Sequence, residues 1–300
     1  MSLSLFWIPA TLVAIFAQTA RNTMQHRLTE TIGTLGATQV RFLYGLPFAL
    51  VFLAVACLIS GRLPPAPNTA FLLYVTGGAL TQILATAMML AAMRQRSFSL
   101  ALTYTKTEPV QVALFGIIVL GDLLTPLATL AIGLATLGVV LMSLKPVGAD
   151  QGSRWRPALL GMAAGGFFAL SSIGFRGAVL SLEEGSFVLR ASTGLAWSLV
   201  IQTTVLLAWL GILQREALSG SLRVWRQSLL AGFMGALASQ FWFIGFALTA
   251  AANVRTLALL EVVLAQIVSR RLFSEQISRR EVVGIVAVVA GVALLLVTGA

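Results

Sequence analysis

The segment Thr107-Glu108-Pro109-Val110, followed by Gly121-Asp122-Leu123-Leu124-Thr125, has a counterpart further along the chain. There Leu260-Glu261-Val262-Val263 is followed by Ser274-Glu275-Gln276-Ile277-Ser278. Both copies keep the same interval from glutamate to acidic residue to hydroxyl, and at the same offset Gly138 falls opposite Gly291. An independent pair points the same way: Arg41-Phe42-Leu43-Tyr44-Gly45-Leu46 echoes Arg190-Ala191-Ser192-Thr193-Gly194-Leu195. Two matches in the same order indicate an internal repeat.

Working outward, the repeat is set in apolar sequence. Of 300 residues, 58% are hydrophobic and 10% charged, against about a quarter charged in soluble domains. So few charges cannot cover a water-facing surface, and lipid must be the solvent. A helix needs about 20 apolar residues to cross the hydrocarbon core. Ten such stretches are read: 5–26, 34–59, 70–92, 98–120, 125–143, 157–179, 186–211, 228–249, 253–272 and 280–298. Their connections are short, as at Ser60-Gly61-Arg62-Leu63-Pro64-Pro65, Arg94-Gln95-Arg96, Arg215-Glu216 and Arg270-Arg271.

The longest polar segment, Lys145 to Pro157, falls at mid-chain. It divides a first five-helix repeat, 1–146, from a second, 157–300, with 147–156 as linker. Five is odd, so the second repeat enters the membrane from the opposite side, and the repeats are inverted. The expected fold is therefore all-α and membrane-integral: ten transmembrane helices as two inverted fives around a central cavity. Inverted repeats suit alternating access, because two similar shapes can exchange inward and outward roles.

Several classes are disfavoured. The net charge is +10, but the arginines are scattered between apolar runs with no basic stripe, so nucleic acid is not an expected partner. Cys57 is alone and reads as a packing residue. His26 is the one histidine, no metal-ligand cluster is visible, and no metal or other cofactor is expected. The N-terminus lacks a basic n-region, so the first apolar stretch is read as a retained helix.

The run from Thr107-Glu108-Pro109-Val110 through Gly116 to Leu120-Gly121-Asp122-Leu123-Leu124-Thr125 resembles the signature of the EamA branch of the drug/metabolite transporter superfamily. The paired Arg41 and Arg190 fit the same pattern, and the resemblance covers essentially the whole chain as two copies of the family's five-helix domain. It implies a ten-helix basket with a central cavity, and a carrier of amino acids, nucleotides, vitamins or other metabolites, often an exporter. The chain departs from the pattern at Asp122, where glutamate is commoner. In the second copy Val262 replaces Pro109 and Ser274 replaces Gly121.

An ionisable side chain within a span costs about 2.5–3.5 kcal/mol on insertion scales, and faces a cavity or a partner. The candidates are Arg41, Lys106, Glu108, Arg190 and Glu261, with Arg255 near a helix entrance. Glu108 shares a helical stripe with Tyr104 and Gln111. That fits a binding or coupling patch, and equally a Glu–Arg pair locking two helices. Glu261, with Leu257 and Ala265 on its face, reads more as a structural partner of an arginine. Arg41 and Arg190 could fork onto a substrate carboxylate or phosphate, or snorkel. Gln18, Arg21, Asn22 and Gln25 form a stripe too polar for lipid, and Gln82 and Gln240 occupy similar depths in their repeats. Gly161/Gly165 and Ala287/Gly291 suggest close helix contacts, within one chain before a dimer; monomer and homodimer both remain open.

Odd-numbered connections carry Arg21, Arg27, Arg94, Arg96, Lys145, Arg154, Arg156, Arg215, Arg223, Arg226, Arg270, Arg271, Arg279 and Arg280. Even ones hold little beyond Arg62, Arg176 and Arg255. The positive-inside rule then places both termini outside, in the periplasm of a bacterial inner membrane. With no nucleotide-binding motif, a proton or counter-substrate gradient is the expected drive. The expectation is a secondary transporter of a small, anionic or zwitterionic metabolite. A membrane enzyme would need a convergent catalytic set that the sequence does not offer, and a lipid flippase would need a wide lateral opening.

Overall fold

The computed structural model describes residues 5–95, 105, 107–143, 155–263 and 279–297, and among these every regular element is helical. The first half contains α1 (Trp7–Leu43), α2 (Leu46–Ser60), α3 (Thr69–Gln95), α4 (Glu108–Phe115) and α5 (Pro126–Ser143). A π-helical turn, Gly116–Leu120, extends α4. The second half contains α6 (Trp155–Ser181), α7 (Phe187–Leu213), α8 (Arg215–Arg223), α9 (Trp225–Leu248), α10 (Ala251–Leu257) and α11 (Arg279–Val297). Among the described residues, six stretches are long and apolar enough to cross a membrane, the first being Trp7–Ser60, and Glu108–Leu120 and Pro126–Met142 are shorter apolar helices.

α1 is two helical arms joined at a kink. Gly33 sits at φ 71° and ψ 175°, a backbone conformation that a side chain disfavours. The Gln25 amide donates to the Ala37 carbonyl at 2.8 Å. In a straight helix those residues would stand about 18 Å apart at 1.5 Å per residue, so the chain reverses at Gly33. The first arm runs to residue 32, longer than the expected 5–26. The second continues into α2 past a break at Tyr44-Gly45, where Pro47 opens the new helix.

Polarity is arranged as lipid requires. Large apolar side chains lie outside, with Leu58 82%, Ile59 83% and Leu73 71% exposed, while Arg21, Asn22, Gln25 and Gln202 are at most 1% exposed. The broadest interfaces pair α1 with α9, α3 with α6 and α5 with α11; α2 lies on α7. At α5–α11 the backbones nearly touch. A Cβ on Gly138 would stand 2.6 Å from the Gly284 carbonyl oxygen and 2.7 Å from the Val288 nitrogen. One on Gly291 would stand 2.7 Å from the Ala131 carbonyl and the Ala135 nitrogen. Gly291 and Gly165, which abuts the Thr105 carbonyl, thus make their close contacts within the chain.

Two elements differ from the sequence expectation. The connection at Arg215-Glu216 is not a bare loop but the nine-residue α8. It packs beneath the α1 reversal, with the Tyr44 hydroxyl donating to the Ser221 carbonyl at 3.1 Å. The helix expected over 253–272 begins as α10 and is interrupted by a turn at Ala258-Leu259 before residues 260–263 resume it; its remainder lies outside the described residues.

Candidate functional site: a buried cluster of arginines and glutamates

Glu108 stands in the first turn of α4, where the unpaired N–H groups of the helix favour an anion. Pro109 follows it in that first turn, where a missing N–H does no harm. The Glu108 carboxylate receives Arg255 Nε at 3.0 Å, from α10. The same Nε lies 3.0 Å from Ser172 Oγ of α6, which itself lies 3.3 Å from Glu108 Oε1 and donates to the Phe168 carbonyl at 2.9 Å. The guanidinium is backed by α9: the Trp242 ring centre is 4.5 Å away and that of Phe246 5.4 Å, both within cation–π range. Four helices therefore converge on Arg255.

Glu261, just past α10 and 7% exposed, accepts from Thr19 Oγ1 of α1 at 2.9 Å. Arg21 is 1% exposed. Its Nη2 and Nε reach Asn22 Oδ1 at 2.7 and 3.3 Å, and its Nη1 has no hydrogen-bond partner. Arg41 Nη1 donates to Thr86 Oγ1 of α3 at 2.9 Å, with its guanidinium 5.2 Å from the Phe42 ring centre. The stems of Arg21 and Arg41 meet over Gly235 of α9. A Cβ there would lie 3.3 Å from Arg21 Cδ and 3.5 Å from Arg41 Cγ, so the glycine leaves room for both. Among the described residues, neither arginine has a carboxylate at ion-pair distance.

A second, partly buried ion pair ties the segment after α4 to α6 and α9. Arg176 of α6 meets Asp122 through Nη2 at 3.0 Å and through Nε at 3.2 and 3.3 Å. Its Nη1 donates to the carbonyls of Phe246, at 2.8 Å, and Thr249. These end α9, so the cation satisfies carbonyls left unpaired by the helix.

The other expected residues are placed as follows. Gln18 Oε1 accepts from the Trp242 indole at 3.0 Å, which sets the stripe's outer end beside Arg255. Gln25 is spent on the α1 reversal. Gln82 accepts from Gln202 at 2.9 Å, and Gln240 donates to Ser192 at 3.0 Å; both join their helices to α7. Gln111 donates to Thr107 Oγ1 at 3.2 Å on its own helix. Arg190 sits in the first turns of α7 and donates to the Leu182 carbonyl at 3.3 Å, at the α6–α7 connection and away from Arg21 and Arg41. Tyr104 and Lys106 lie outside the described residues.

Arg255, set aside in the sequence as a helix-entrance cation, is the centre of the cluster. A lone arginine within the apolar run 251–260 was the available signal. Its partner Ser172, and Thr86 beside Arg41, carried none. Arg176 and Arg255 are interior helix residues and not loop charges, as Arg21 is, so all three leave the orientation count.

The class defined by these features is a multi-pass helical membrane protein with a charged interior. The profile of the EamA-like transporter family matches residues 5–144 and 155–297. The chain belongs to that family, within the drug/metabolite transporter superfamily, whose members are membrane transporters. No curated protein matches it. Among solved structures, 29 chains match. One crystal structure aligns over 99% of both chains with a TM-score of 0.68 at 15% identity, a likeness of fold alone.

Proposed function

We propose that this protein is a secondary transporter exporting a small anionic or zwitterionic metabolite, such as an amino acid, across a bacterial inner membrane by alternating access. The observation that carries this is the interior cluster shared between the halves: Arg21, Arg41 and Glu108 from the first, Arg255 and Glu261 from the second. Buried charge of this kind is expensive in lipid and marks a substrate or ion path.

Alternating access follows from ten helices arranged as two inverted five-helix repeats, residues 1–146 and 157–300. The contacts support that symmetry. The interval of 153 residues that separates Glu108 from Glu261 also separates Gly138 from Gly291. Gly138 meets Gly284 and Val288, and Gly291 meets Ala131 and Ala135, which are the counterparts of Gly284 and Val288 at that same interval. The interface is thus self-complementary, as a two-fold axis requires. The α1–α9 and α3–α6 interfaces form a second reciprocal pair.

Energy comes from a proton or counter-substrate gradient, with Glu108 as the coupling carboxylate. The test begins with a thermal-shift screen of the purified protein against metabolites, and proceeds to uptake of each stabilising compound into proteoliposomes with and without a pH gradient. Transport that E108Q leaves unchanged in rate and pH dependence removes Glu108 from coupling; a screen with no transported hit defeats the transporter reading.

A further inference from the structure

A cleft of about 450 Å³ opens at the end of the bundle where α2 and α6 finish, and none of its lining residues belongs to the interior cluster. Arg62, Leu63, Pro64 and Pro65, after α2, form one wall; Glu184, before α7, and Leu189, in its first turn, form the other. The walls come from the two family-matched segments of the chain. Both are fixed by local sequence. Gly61 ends α2 in the left-handed region at φ 62°, and two prolines stiffen the turn that follows. Opposite, Gly185 turns at φ 91°, and Ser186 caps α7 by accepting from the Leu189 N–H at 3.2 Å. Asn68 Nδ2 donates to the Ser181 carbonyl at 2.6 Å, which ties the two connections together. Leu189, 1% exposed, is an apolar floor.

The cleft holds one charge of each sign. Arg62 and Glu184 are both exposed, and every lining residue is among those described. Among the described residues neither has an ion pair or a side-chain hydrogen bond, with the other or with anything else. A cation and an anion held apart across a small cleft match a ligand that carries the opposite pair. The apolar surface says which kind. Leu63, 87% exposed, continues the outward Leu58 and Ile59 at the end of α2, where acyl chains would lie. We propose that this cleft binds the headgroup of a zwitterionic aminophospholipid, its phosphodiester on the Arg62 guanidinium and its primary ammonium on the Glu184 carboxylate. The guanidinium offers paired N–H donors to two phosphate oxygens. The carboxylate accepts from ammonium N–H groups, which a glycerol headgroup lacks and a trimethylated ammonium has lost. Bound, one lipid joins a connection from each matched segment and holds that end of the bundle together. Such a site needs no particular cargo and stands apart from the transport reading.

The test uses the full-length protein, purified in detergent and stripped of lipid. It is titrated with short-chain phosphatidylethanolamine, phosphatidylcholine and phosphatidylglycerol while the thermal-unfolding midpoint is followed. Phosphatidylethanolamine should stabilise at about ten-fold lower concentration than the other two, the weight of a hydrogen bond between charged groups. Equal potency of the three overturns the assignment. The ratio of potencies is read within each variant, so a general change in stability does not enter it. Glu184→Gln should remove the preference for the ethanolamine over the glycerol headgroup, and Arg62→Gln should weaken all three lipids. A Glu184→Gln protein that keeps the preference refutes the ammonium contact, and an Arg62→Gln protein that binds all three as before refutes the phosphate contact. Glycerophosphoethanolamine, the same headgroup without acyl chains, separates a lipid from a free solute. It should compete only at far higher concentration; if it matches the lipid, the occupant is a soluble zwitterion and the lipid assignment falls.

Discussion

Arg255 shows what sequence spacing could and could not reveal at the scale of single residues. Glu108 and Glu261 were legible, because a carboxylate in an apolar run is conspicuous on its own. Their partners were not, because the Glu108–Arg255 pair spans two helices from opposite halves of the chain. Periodicity reports which face a residue occupies on its own helix, and no more. The same limit explains Arg190, which matches Arg41 in the repeat but lies at the α6–α7 connection. A direct check is available. Arg255→Gln takes the guanidinium away from the Glu108 carboxylate and should destabilise the protein by about 3–5 kcal/mol. Replacing Glu108 by Gln in the same chain should recover part of that, read as a non-additive double-mutant cycle by denaturant titration. Additive losses would mean the pair is a contact without coupling.

At the scale of elements, apolar length and turn chemistry gave the six long apolar stretches and the shorter Glu108–Leu120 and Pro126–Met142; the expected spans 98–120 and 253–272 lie only in part among the described residues. They missed α8, whose nine residues are too polar to register as a span and too short to stand alone. They also missed the depth to which close contact depends on single glycines. On α5, a Cβ at Gly138 would strike the α11 backbone, whereas one at Gly133 meets nothing within 4 Å. Gly138→Ala should therefore push α5 and α11 apart and cost about 1–3 kcal/mol. Gly133→Ala, on the same helix, should be neutral or stabilise by up to about 1 kcal/mol through helix propensity. Paired unfolding measurements decide it; similar effects of the two substitutions would contradict the interface described. Gly78 on α3, whose backbone adjoins Gly174 of α6, marks the same kind of contact at another interface.

For the whole molecule, the sequence match of Gly138 with Gly291 marked the close packing of α5 on α11, because each copy keeps a glycine where the two backbones approach. Orientation is a separate matter, resting on where the arginines lie. With Arg21, Arg176 and Arg255 removed as interior groups, the even connections retain Arg62 from that count, and the asymmetry persists. A C-terminal fusion to a reporter active only in the periplasm should be active, and a cytoplasm-only reporter there silent; the reverse would turn the molecule over. The Arg176 tie bears on timing. One rigid, planar group holds the segment after α4, the body of α6 and the final carbonyls of α9 together. Freeing Asp122 alone would leave its carboxylate without the guanidinium, and freeing α9 alone would leave its final carbonyls without a donor. Parting of these helices at that end should therefore be cooperative, the three contacts releasing together. Lysine, a point charge without the fork, could keep the charge but not the simultaneity.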